Sequence, residues 1–86
     1  MNTLIVILQV SIAEVLPQLV AAFCAALIVT AASWGIGRIG TTALDSIARQ
    51  PEAAGDIRSS MVVSAALIEG VSFFAIIICA LVIFLS

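Results

Sequence analysis

Glu69 is the only Asp, Glu, Lys or Arg after Arg58 in a chain of 86 residues. At 1.5 Å per helical residue it lies about 16 Å beyond Arg58 and about 25 Å before the chain end, which is the middle of an apolar stretch long enough to cross a bilayer. An ionised carboxylate at that depth costs a few kcal/mol on insertion scales and more by simulation, so the group is expected to be protonated whenever it faces lipid. A carboxyl that ionises only beside a cation or a water path is suited to carrying protons. Of the basic residues only Arg38 approaches its level, so the counter-charge is expected from another subunit.

The surroundings of Glu69 offer few oxygens. Ser72 follows three residues later, and Ser33 and the backbone of Leu67 are further candidates to bond the protonated acid. Back-bonding of either serine to its own helix is the structural alternative. A sodium ion would need several convergent oxygens, and Gly70, Val71, Phe73 and Phe74 stand where they would have to be. A proton is therefore the expected cargo, with no metal and no cofactor.

The elements that hold Glu69 follow from composition. The chain is 64% hydrophobic and 9% charged, with no Tyr and no His, and carries more apolar surface than a soluble domain of this length can bury. Its net charge of -2 forms no basic stripe, which excludes nucleic acid as a partner. Leu16 to Gly37 contains no Asp, Glu, Lys or Arg, and the helical pattern continues through Ile39, Ala43, Leu44 and Ile47. Pro51 ends that helix and pushes Gln50 out of the helical region, and Gly55 supplies a second break. A second helix is predicted to start near Asp56.

The expected fold is an all-α antiparallel two-helix transmembrane hairpin. Its parts are an extracytoplasmic segment at 1–15, a first membrane helix at 16–48, a polar loop at 49–55 and a second membrane helix at 56–86. Met1 to Val20 has no Lys or Arg, which argues against a cleaved signal peptide. Arg38, Arg49 and Arg58 all lie in or near the loop, so the positive-inside bias puts the loop in the cytoplasm and both termini outside. Arg38 is read as snorkelling to the cytoplasmic headgroups. Cys24 and Cys79 fall at nearly the same depth and are read as apolar fillers, since a disulfide needs Cα atoms closer than about 7 Å.

Small residues recur four apart along the first helix, as Ala31 with Gly35 and Ser33 with Gly37, with Gly40 further on. Residues 33 and 35 differ by about 200° around the helix, so these ridges lie on nearly opposite flanks and one hairpin cannot fill both. Close packing on two flanks suits head-to-tail contacts between identical copies, and a homo-oligomeric ring is expected.

The loop Ile47-Ala48-Arg49-Gln50-Pro51-Glu52-Ala53, preceded by Gly35, Gly37 and Gly40 and followed by Ala66-Leu67-Ile68-Glu69-Gly70, resembles the proteolipid, or c-type rotor subunit, of F-type ATP synthases. The resemblance covers about Ser33 to Ser86. It implies a rotor ring in a bacterial inner membrane in which Glu69 is the ion-carrying group, with no catalytic site of its own. It further implies that the a-type membrane subunit of the synthase supplies the counter-charge and half-channels, and that Arg49, Gln50 and Pro51 meet the gamma and epsilon subunits of the central stalk. Sodium-binding members of the family carry Gln where Ile36 stands, Ser or Thr where Gly70 stands and Tyr where Phe74 stands. All three ligands are missing from this chain, in agreement with the oxygen count. The competing readings are a structural or pore-forming hairpin of the holin kind, which has no need of an acid at this depth, and a small proton-coupled transporter, which would show more than two spans.

Overall fold

A computed structural model describes Asn2–Leu85. It contains two long helices, α1 over Asn2–Arg49 and α2 over Ala54–Leu85, joined through Gln50 and a single 3-10 turn at Pro51–Ala53. They fold back on one another into an elongated body of 74 × 20 × 8 Å. Met1 and Ser86, the outer ends of the expected 1–15 and 56–86 segments, lie outside the described residues.

Helix α1 runs from Asn2 without a break at residue 15, so the N-terminal segment and the first apolar stretch are one continuous helix of 48 residues. Pro17 sits inside it. The ring nitrogen cannot bond the carbonyl four residues earlier, but a single lost bond in so long a helix does not end it.

The turn is tighter than the loop expected at 49–55. Arg49 still belongs to α1, while Ala54 and Gly55 already belong to α2. Gln50 is the residue displaced from helical geometry, at φ -133° and ψ 71°, as the clash of a residue with a following proline requires. Its N–H donates to the Ser46 carbonyl at 2.9 Å, and the Ala53 N–H donates to the Gln50 carbonyl at 3.0 Å. Pro51 opens the 3-10 turn, where a missing N–H costs nothing. Gly55 has no positive φ and makes no second break: with Pro51 placed at the start of a helical turn, the backbone has already reversed before it.

The two helices meet along one seam. On α1 the half-buried or buried positions include Ala21, Ala25, Ile28, Ala32, Gly35, Ile39 and Ala43, and on α2 Ile57, Met61, Ser64, Ile68, Ser72, Ala75 and Cys79. Those steps of three and four residues are the period of a helical face. Antiparallel register is set by Gly35 against Ile68, and Cys24 and Cys79 share a groove further from the turn. Among the described residues only Ala21 and Ala43 are buried, and large apolar side chains from Leu4 to Leu85 remain exposed. Each helix is long and apolar enough to cross a membrane, and lipid or further protein has to cover that surface.

Candidate functional site

Glu69 follows Ile68, whose side chain is pinned against α1. The Ile68 Cδ1 atom lies 3.2 Å from the place a Cβ on Gly35 would occupy, so the missing side chain of Gly35 is what lets the helices approach at this level. One residue is about 100° of rotation, and Glu69 is therefore carried out of the seam onto an exposed flank of α2. By register Trp34 stands at its level on α1, one residue before Gly35.

The other expected neighbours separate around the helices. Leu67 lies about 200° from Glu69 and lines a groove with Trp34, Ala31 and Val71 on the opposite flank. Ser72 is half-buried and lines the same groove rather than sharing the exposed flank of Glu69. The three-residue step turns it about 60° toward the seam, and that angle is enough to put it between the helices. Ile36 is half-buried, and Phe74 and Ser33 are exposed. Ser33 lines an outward groove with Gly37, Arg38 and Thr41.

Three hydroxyls back-bond to their own helices among the described residues. Thr30, Thr41 and Ser59 each donate to the carbonyl four residues earlier, at 2.8, 2.9 and 3.1 Å. Neither Ser33 nor Ser72 is among them. Glu69 likewise finds no hydrogen-bond or ion-pair partner among the described residues of its own chain.

Arg38 does not reach toward the acid. Its guanidinium carbon sits 5.1 Å from the centroid of the Trp34 ring, a cation–π contact. That pairing was readable in the four-residue spacing, and it places the charge over an aromatic face of its own helix. A further groove of about 550 Å³ near the turn is lined by Arg38, Thr42, Ser46, Asp56, Ser60 and Ser64 among others. Its hydroxyls recur at four-residue spacing on each helix, a signal that sequence reading passed over.

The small residues divide as their rotation requires. Gly35 packs inside the hairpin, whereas a Cβ on Gly37 or Gly40 would meet nothing within 4 Å. The turn residues Arg49, Gln50 and Pro51 are all exposed at one end of the hairpin. Cys24 and Cys79 are free thiols in an apolar groove with Pro17, Ala21 and Val82.

Two bilayer-length apolar helices, reversed by a tight polar turn and carrying one exposed acid, Glu69, midway along the second, define a transmembrane hairpin. The family of the ATP synthase c-type subunit matches residues 19–82. Similar proteins that carry the name of this ATP synthase component include one from Phocaeicola vulgatus, 55% identical over 82 residues and covering 95% of this chain and 98% of that one. Another, from Bacteroides thetaiotaomicron, is 53% identical over 81 residues, covering 93% and 95%, and one from Lactobacillus helveticus is 38% identical over 72 residues, covering 84% and 94%. No solved structure matches. The chain belongs to the family of ATP synthase c-type subunits, and it is a membrane component of an ATP synthase.

Proposed function

We propose that Glu69 is the reversible proton carrier of a homo-oligomeric rotor ring. The observation that carries this reading is the unpaired Glu69 carboxyl, held on an exposed flank while its neighbour Ile68 is anchored against Gly35. An acid satisfied inside its own hairpin would have a structural role, whereas this one is presented to whatever packs beside α2. In lipid it stays neutral, because the ionised form carries a desolvation cost of several kcal/mol. Beside a cation of the a-type subunit, with water access through a half-channel, it releases its proton.

Rotation follows from that difference between the two states. A neutral Glu69 moves into lipid freely and an ionised one does not, so thermal motion of the ring is rectified by which half-channel supplies the proton. Each proton crossing a potential of 100 mV contributes about 2.3 kcal/mol. The Trp34 contact of Arg38 supports this reading, since a cation stacked on its own helix does not lock the acid in a permanent pair. Sodium is not the expected ion, because Ile36, Gly70 and Phe74 offer no side-chain oxygen.

In this reading the turn with Arg49, Gln50 and Pro51 faces the cytoplasm and meets the gamma and epsilon subunits of the stalk, and both termini face outward. The basic residues near the turn support that orientation. Identical copies surround one another through the flank on which Gly37 and Gly40 are open.

A hydrophobic carbodiimide, which reacts with a protonated carboxyl in lipid, tests the assignment. Modification is expected at Glu69, slower at high pH and not prevented by sodium. Modification confined to Glu14 or Glu52, or protection by sodium, would overturn it.

A further inference from the structure

Cys24 and Cys79 stand at one level on opposite helices. Cys24 precedes Gly35 by 11 residues and Cys79 follows Ile68 by 11 residues, so in antiparallel helices both thiols lie about 16 Å from the Gly35 and Ile68 contact. Eleven residues also make three helical turns and about 20° more. Each cysteine therefore shares a face of its helix with the residue that makes that contact, and both are turned toward the seam. The two side chains line a single groove of about 440 Å³, Cys79 half-buried and Cys24 exposed.

The rest of the groove is carbon. The other lining side chains, among them Leu16, Pro17, Ile78 and Val82, bring no oxygen or nitrogen to it. Two thiols with no third side-chain donor restrict what the site can hold. Sulfur selects a soft cation, and a zinc ion, which takes four ligands, would be left half-coordinated. Binding displaces the thiol protons, so the ion sets the charge of the adduct. A monovalent cation leaves one net negative charge among carbon side chains, which carries a desolvation cost, whereas a divalent cation leaves none.

We propose that Cys24 and Cys79 form a dithiol site for a soft divalent cation that takes two ligands in line, the chemistry of the mercuric ion. Two S–H bonds break and two sulfur–metal bonds form. Both protons leave to water, and no electrons are transferred. The neutral bridge ties α1 to α2 at the end of the hairpin away from the turn. It closes a loop that contains the whole turn and Glu69, and a clip across so long a loop restricts the unfolded chain more than the folded one. The site depends neither on the ring nor on the carrier role of Glu69.

The test uses the full chain, reduced, freed of reductant and held in mild detergent, with one equivalent of mercuric chloride as the probe. Intact mass is expected to rise by one mercury less two hydrogens per chain. Both cysteines should become closed to alkylation, and the hairpin should melt at a higher temperature by circular dichroism. Cys24→Ala and Cys79→Ala each keep a single thiol. Release of the ion from the unsubstituted chain is expected to need roughly 10²-fold more of a competing monothiol than release from either variant, because its second bond forms within one chain. Zinc chloride at the same concentration is expected to leave mass, alkylation and melting unchanged. Equal release from all three chains, mercury shared between two chains, an unchanged melting temperature, or zinc retained as firmly as mercury overturns the site. A disulfide already joining the two cysteines before metal is added also overturns it.

Discussion

Ile68 fills the space that a side chain on Gly35 would take, with its Cδ1 3.2 Å from that virtual Cβ. Gly35→Ala asks only the flexible tip of Ile68 to shift, and it gains helix propensity of about 1 kcal/mol, so a near-neutral effect is expected. Gly35→Val overpacks the seam and is expected to destabilise the hairpin by about 1–3 kcal/mol, with partial recovery when Ile68→Ala is added. Thermal unfolding followed by circular dichroism in detergent measures both. Gly37→Val should behave oppositely. It leaves the melting of the single hairpin unchanged, because nothing in the chain stands within 4 Å, but it lowers the yield of oligomer in mild detergent. Equal effects of the two valines on the isolated hairpin would contradict this division of the flanks.

Glu69→Gln keeps the shape of the side chain and removes the proton it can release. The variant is expected to assemble normally and to abolish proton flux in reconstituted vesicles, since no other acid lies between Arg58 and the chain end. Flux at the level of the parent protein would refute the carrier assignment.

Arg38 and Trp34 make a separable prediction, because Trp34 is the single tryptophan and reports on its own surroundings. Arg38→Met should change Trp34 fluorescence by removing a contact of about 0.5–1 kcal/mol. Most of the proton flux should persist, because the cation is stacked on its own helix. Loss of all flux with assembly intact would make Arg38 the counter-charge of Glu69 and contradict its role as a cation stacked on Trp34.

The two thiols give a mass test. Cys24 and Cys79 face one apolar groove as free cysteines. The purified chain should therefore have the same mass before and after reduction, and denaturing alkylation should add two equivalents without prior reductant. A mass lower by two hydrogens before reduction would show a disulfide instead.

Much of this was legible in the order of the residues. Lipid has no hydrogen-bonding capacity and strongly disfavours charge, so a long apolar run, a polar turn at Pro51 and a lone Glu69 are each large free-energy signals carried by composition. The opposed ridges of Ala31 with Gly35 and Ser33 with Gly37 followed from helical rotation alone. Relations that depend on angles of 60° to 100°, or on which helix reaches how far, needed the fold. Ser72 turned into the seam away from Glu69, and Gly55 stayed helical because the reversal was complete at Gln50 and Pro51. Arg38 settled over Trp34, and α1 ran as one helix from Asn2 to Arg49. Apolar patterning ranks residues by their preference for lipid or protein over water. It does not distinguish lipid from protein, and that choice rests on register, helix length and the close approach of Gly35 to Ile68.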